Sequence, residues 1–535
     1  MPITVIKFLF LISYFAIGIG TVYKSLTFFK KNTPRWSYIL VTLFTGKLIF
    51  DLVSMLPSGT HAMLNSARLA PALSVRLGNP LYYPPDSGPV LSSMYSPLTF
   101  LTYLPATLFS EPTISILFGL AIAQLLFFVP AVLLFLTSSQ HHNGTRHIAF
   151  LSFLAFGFLT ISSKSLNYAA FSIHSDAGAV CFAALGCMTL SKLKLITGSW
   201  KYYILPCILF TIAIWTKQVV IFVPAACLFI LFLRHGLKKS LTFFSIMLAL
   251  NILVTLVFTL IIEFKTFTFN ILTYPASFNL TIPFRDAFNA ARDEFFTSSL
   301  FLIFTVFYLL TSISWSRETF KTHVLNTQWF TFVLSGIFLI PISILAYMKP
   351  GGDYNSFAFA NYMLTLGALL LMLHLSKEIV TNDKKNPAKL LLIAFLSYNA
   401  VTYLPNSIMR IKFTLKLEKN DSQIAYNFAK KHKGEAYFPL IPLATLMSDK
   451  TLYHYQGEVM DHNLTTFNIS KSHFEKHIPK NLRYVIYGTQ PNPSELIDPF
   501  RSMYLPDFTI HTELPDLPGW IVLMKNQVIE RGVIK

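Results

Sequence analysis

Stretches of about 20 consecutive, mostly apolar residues recur from Val5 to Pro405, and a chain with that pattern has few ways to fold. Each is long enough to cross a hydrocarbon layer of about 30 Å as a helix. About twelve such spans are expected, centred near residues 13, 46, 125, 155, 184, 209, 226, 251, 306, 338, 367 and 397. Composition agrees, since 53% of the 535 residues are hydrophobic and only 13% charged, which excludes an ordinary soluble core. The expected fold is an all-α polytopic membrane protein over residues 1–406.

The 43 Lys and Arg against 25 Asp and Glu leave a net charge of +18, which in a soluble protein would suggest nucleic acid. Here the positions of the charges decide otherwise. Lys24, Lys30, Lys31 and Arg35, then Lys192, Lys194 and Lys201, then Arg234, Lys238 and Lys239, then Arg317 and Lys321, then Lys377, Lys384 and Lys385 fall in alternate connections. The positive-inside rule makes those connections cytoplasmic. The long connections 57–112, 163–177, 263–297 and 347–358, and the tail, are therefore expected outside. Cys181, Cys187, Cys207 and Cys227 lie within apolar runs without metal-ligand spacing and read as buried thiols.

After Pro405 the hydrophobicity falls, and residues 407–535 read as a small α/β domain on the extracytoplasmic side. Asn420 or Asp421 suits the cap of a helix running to about Lys433, while LRYVIYG and WIVLMK have the composition of strands. Within the first long connection, ARLAPALSVRL (Ala67–Leu77) has apolar residues at helical spacing and reads as a helix lying along the membrane surface. Pro80, Pro84 and Pro85 then force an extended path, and Tyr82, Tyr83 and Tyr95 suit the headgroup boundary.

GNPLY (Gly78–Tyr82), followed by YSPLTFLTYLP (Tyr95–Pro105) leading into a span, is similar to the G-x-P-L-Y … Y-P-P-L … P pattern of polytopic glycosyltransferases of the GT-C superfamily. SIHSDAGAVCFAALGCMTL (Ser172–Leu190), WTKQ (Trp215–Gln218) and GGDYNSFAFANYML (Gly351–Leu364) continue the resemblance in the expected order. The branch it resembles contains the lipopolysaccharide-core sugar transferases of rhizobia and, more distantly, protein O-mannosyltransferases and the aminoarabinose transferase. The resemblance implies inverting transfer of a sugar from a polyprenyl-phosphate carrier to an acceptor glycan, lipid or protein. It also implies a bacterial inner membrane, with the reaction on the periplasmic face. A transporter or flippase of lipid-linked sugars, or a non-catalytic relative that binds glycolipid, would need the same spans.

Relatives often carry an acid early in the first outer loop, whereas PSGTHAMLNSARL (Pro57–Leu69) holds only His61. Asp51, His61 and Asp86 are the substitutes nearby, and Asp176 is the further candidate catalytic acid. Asp51 follows Lys47 by four residues, so the two can pair on one helix. Asp176 can cap its helix, act as a base, or share a divalent cation with His174. Lys217 can snorkel or hold the lipid phosphate. Tyr82, Tyr95, Asp353, Asn355 and Asn361 complete the candidate substrate contacts. The cluster Arg285, Asp286, Arg292, Asp293 and Glu294 reads as a solvated helix face.

Overall fold

The computed structural model describes residues 35–91, 94–138, 143–192, 199–378, 387–488, 493–511 and 514–525. The expected first span near residue 13, and Lys24, Lys30, Lys31, Lys194, Lys384 and Lys385, lie outside these described residues.

Among the described residues, seven helices are long and apolar enough to cross a membrane: Val41–Gly59, Pro112–Thr137, Gln218–His235, Leu237–Ile261, Phe284–Ser312, Gln328–Tyr347 and Tyr354–Ser376. An eighth candidate is bent, with His147–Ser162 and Lys164–Phe171 meeting at 95°. The expected centres at 184, 209 and 397 fall on helices that are shorter or less apolar: Ser175–Lys192, Ile204–Thr216 and Pro387–Thr402. On length and composition, the described residues therefore supply seven or eight spans of a membrane protein.

Burial sorts these helices into layers. The apolar window of Tyr354–Ser376 is 94% buried, which makes it the centre of the bundle, while that of Leu237–Ile261 is 6% buried. Leu253, Leu256, Leu260 and Ile261 on the latter face outward, as helix surfaces solvated by lipid do. The central helix touches Gln328–Tyr347 closely because glycines meet there. A Cβ at Gly367 would lie 2.9 Å from the Val333 backbone nitrogen, and one at Gly336 would lie 3.1 Å from that of Leu364.

The tail forms a four-stranded sheet of order β1-β2-β4-β3, from Ala436–Tyr437 (β1), Tyr484–Tyr487 (β2), Phe508–His511 (β3) and Ile521–Lys525 (β4). β1 runs parallel to β2, and the remaining pairs are antiparallel, with Val485 opposite Leu523 and Ile510 opposite Leu523 on its other edge. Both expected strands are present. The expected helix is Asp421–Lys431, and Asn420 caps it by accepting from Gln423 N at 3.0 Å. The same asparagine donates to Thr113 Oγ1 at 2.6 Å and so ties the tail to the bundle.

The helix expected along the membrane surface forms as Met63–Arg76, but its surroundings differ from the expectation. Leu69, Ala70, Ala72 and Leu73 are buried, and the helix packs against Pro112–Ser138 on one side and the tail helix Pro442–Asp449 on the other. Its apolar stripe meets protein rather than lipid.

Candidate functional site

The connection after Met63–Arg76 takes its path from local chemistry. Gly78, with φ +87°, turns the chain out of the helix, and Asn79 N bonds Ser74 O at 3.1 Å. Gly88 has φ +79°, and a Cβ there would meet the Tyr83 ring at 2.0 Å, so only glycine fits. Beyond it the chain is clasped by the tail. Val90 N donates to His454 Nδ1 at 2.9 Å, Tyr455 N donates to Val90 O at 2.8 Å, and His473 Nε2 donates to Gly88 O at 2.7 Å. The Val90 side chain is buried in the tail core with Tyr437, Phe474 and Val485.

A second set of bonds ties the following segment to the bundle. Thr99 Oγ1 donates to Thr216 O at 2.5 Å, and Tyr103 OH donates to His174 O at 2.7 Å. Thr216 ends the helix Ile204–Thr216, and Lys217 follows in extended conformation, φ −150°, before the chain resumes as helix. That break puts the Lys217 ammonium beside the first turn of Ser175–Lys192. It donates to Asp176 Oδ1 at 2.5 Å, and His174 Nδ1 bonds Asp176 Oδ2 at 2.7 Å. Tyr95 OH lies 2.9 Å from His174 Nε2. Burial pushes the His174 imidazole down to about 4, so at neutral pH the ring is uncharged. The network then assigns the protons: Tyr95 donates to Nε2, and Nδ1–H donates to Asp176.

This relay forms the wall of a cavity of about 400 Å³ at the end of the bundle that carries the long connections. The bundle contributes Arg68, Tyr95, Tyr168, Lys217, Lys349, Asp353 and Asn355, and the tail contributes Tyr455, Glu458 and Asp461. Three cations thus border one space. The Arg68 guanidinium stacks over the Tyr168 ring at 5.0 Å, and its Nη1 is buried with no hydrogen-bond partner among the described residues. Lys349 Nζ donates to Pro275 O at 2.8 Å. Buried donors without partners are rare, because each forfeits its hydration; a cavity lined by one is suited to an anion.

The sequence candidates are distributed unevenly around this cavity. Tyr95, Lys217, Asp353 and Asn355 line it, and His174 and Asp176 stand directly behind Tyr95 and Lys217. Asp176 is fully buried, with both oxygens engaged. Asp51 is also fully buried, but elsewhere: it accepts from Lys47 at 2.6 Å, from Arg410 at 3.3 Å and from Ser407, joining Arg35–Gly59 to Leu404–Leu415. His61 packs against Phe413 at 5.0 Å between ring centroids. Tyr82 is buried among Phe100, Trp215 and Phe267 and donates to Tyr95 O at 2.6 Å, while Asp86 is exposed at the turn before Gly88.

Asn361 belongs to a second cavity of about 360 Å³, shared with Lys164, Glu294, Asn399 and Tyr403. Its Nδ2 lies 3.3 Å from Glu294 Oε1, which also accepts from Ser165 N at 2.9 Å and Ser165 Oγ at 2.7 Å. Glu294, read from sequence as part of a solvated face, is therefore half-buried and held by several donors, whereas Arg292 and Asp293 are exposed.

A shared divalent cation on His174 and Asp176 does not fit this arrangement, because the pair bond each other and the Lys217 ammonium occupies the remaining carboxylate oxygen. Among the described residues no group of three or more His, Cys, Asp or Glu is placed to hold a metal. Sequence reasoning missed Arg68, Lys349, Glu458 and Asp461. Arg68 lies within the quoted helix Ala67–Leu77 and Lys349 just before Gly351–Leu364, but the two acids lie in the tail, where no local pattern marks them.

No protein-family model matches the chain, and no curated protein matches it significantly. Among solved structures, the Archaeoglobus fulgidus oligosaccharyltransferase, in complex with Zn and sulfate, is similar over 90% of this chain and 73% of its own, at 11% identity and a TM-score of 0.39. A likeness at that level says nothing about substrates or site residues.

Proposed function

We propose that this membrane protein is a glycosyltransferase that takes a sugar from a polyprenyl-phosphate donor and passes it to an acceptor hydroxyl on the outer face of the membrane. The observation that carries this reading is the convergence of Arg68, Lys217 and Lys349 on one cavity, with Arg68 Nη1 left without a partner among the described residues. A phosphate leaving from a sugar carbon needs cations fixed in place before the reaction begins. Asp176 holds Lys217 and, through His174, orients Tyr95; it positions these groups and touches no substrate.

An apolar groove supports the lipid part of the donor. Ile214, Ile221, Leu228, Phe244 and Met247 line a space of about 370 Å³ where the helices on either side of the Lys217 break meet the outer helix Leu237–Ile261. Ile214 and Ile221 bracket Lys217 in sequence, so a prenyl chain in the groove would present its phosphate to that ammonium. The order of the quoted motifs, which resembles GT-C glycosyltransferases, agrees with this reading.

The test is release of free polyprenyl phosphate when the detergent-purified protein meets a panel of polyprenyl-phosphate sugars, with membrane lipids and a glycan acceptor added. The reading expects one donor to be consumed, and Arg68→Ala to abolish consumption. Binding of a donor with no release in any combination would favour transport and overturn it.

A further inference from the structure

The tail domain brings two carboxylates, Glu458 and Asp461, into the same cavity as the three cations. They sit three residues apart on the helix Gln456–Asn463 and so share one of its faces. We propose that Asp461 is the catalytic base, so that the tail completes the active site; this rests on the transferase reading above.

The other acids are unsuited to the task. Asp176 is fully buried and both its oxygens are engaged, by Lys217 and His174. Asp353 is exposed and uses Oδ1 to accept from Tyr354 N at 2.6 Å, a cap for the turn that follows. Glu458 is 2% exposed, deeper than Asp461, beside the Tyr274 hydroxyl. Asp461 is half-buried on the cavity wall, reachable by a substrate hydroxyl yet screened from bulk water. Burial pushes its carboxyl up to about 6, a value suited to accepting a proton near neutrality.

The position of this helix is not left to chance. Tyr455, the residue before it, donates its N–H to Val90 O at 2.8 Å, and His454 accepts from Val90 N, so the first long connection clamps the helix at its start. Arg68, Tyr455 and Asp461 line the same cavity, so the base faces the space that the phosphate-binding cation also borders.

In the step proposed, the acceptor oxygen attacks the anomeric carbon and its O–H proton passes to the Asp461 carboxylate. The bond from that carbon to the phosphate oxygen breaks, and its electron pair leaves with the phosphate toward Arg68, Lys217 and Lys349. Atoms and charges balance without a co-reactant.

Asp461→Asn tests this with two readouts, donor binding and the pH dependence of turnover. Turnover should fall about 10²–10⁴-fold while donor affinity is kept, and the rise of wild-type kcat/KM through an apparent pKa of about 6 should disappear from the residual rate. Asp461→Glu should recover part of the rate. Asp461→Asn with wild-type turnover, or with the acidic limb intact, would overturn the assignment of the base. If the asparagine variant does not fold, Asp461→Glu must shift the limb, and an unshifted limb at full rate would equally overturn it. Absence of turnover in the wild-type protein with every donor would instead strike the transferase reading beneath it.

Discussion

Replacing Lys217 by Met should damage stability as well as activity, because it breaks a largely buried ion pair. Asp176 is fully buried and the Lys217 side chain is 13% exposed, with 2.5 Å between ammonium and carboxylate. Removing the ammonium leaves a buried carboxylate supported, among the described residues, only by His174 Nδ1–H. Breaking a buried pair in this way costs about 3–5 kcal/mol, because the surviving charge has lost its compensation and cannot reach water. The retained His174 bond places the expectation at the lower end, about 3 kcal/mol. That is a large fraction of a typical folding free energy of about 5–15 kcal/mol. Combining Lys217→Met with Asp176→Asn leaves no unpaired ion, so the double variant should regain most of the loss. It should not regain turnover, because the phosphate-binding cation is still missing. Denaturant titration in detergent gives the stabilities, and release of polyprenyl phosphate gives the activity. A double variant no more stable than the single one would refute the reasoning, since the cost would then not be the unpaired charge.

The remaining candidates separate by the same logic. Asp51→Asn leaves Lys47 and Arg410 without their carboxylate and should cost about 3 kcal/mol, while donor affinity stays at the wild-type value in binding assays. Asp86→Asn, on an exposed turn, should change stability and turnover by less than about twofold. Tyr82→Phe should lose about 1 kcal/mol of stability with its buried bond to Tyr95 O, and leave donor affinity intact by the same assay. The clasp between the tail and the first long connection should weaken in acid. Burial, with His477 and His473 beside it, pushes His454 down to about 3, while the unfolded chain keeps a value of about 6.5. The unfolded state therefore binds more protons between these values, and the stability that His454 contributes is lost as the pH falls below about 6.5. Protection of the Val90 amide, the ratio of its intrinsic to its observed exchange rate, should fall between pH 7 and pH 4.5, and His454→Asn should flatten that change; a flat wild-type profile of protection would sink the idea.

Helix positions in the bundle were legible because a membrane span must satisfy its own backbone and therefore shows as a long apolar run. Lys217, singled out within WTKQ, lies on the cavity wall. The reading of Ala67–Leu77 as a surface helix failed on environment rather than on type, because an apolar stripe does not reveal whether lipid or the tail helix Pro442–Asp449 will cover it. The pairing of Asp51 with Lys47 was legible from their spacing, but its other partners, Arg410 and Ser407, lie some 360 residues away in sequence and were not. Glu458 and Asp461 were hidden for the opposite reason. An acid on a short, mixed helix resembles any solvated residue until the fold turns that helix over a cavity.

The most direct measurement is a cryo-electron microscopy structure with a polyprenyl-phosphonate sugar, which can bind but cannot release its phosphorus group. The account predicts the prenyl chain in the groove beside Phe244 and Met247, and phosphonate oxygens about 2.7–2.9 Å from Lys217 Nζ and the Arg68 guanidinium. The sugar should face Asp461. A phosphonate bound in the Glu294 and Asn361 cavity, or on any surface remote from Arg68 and Lys217, would contradict it.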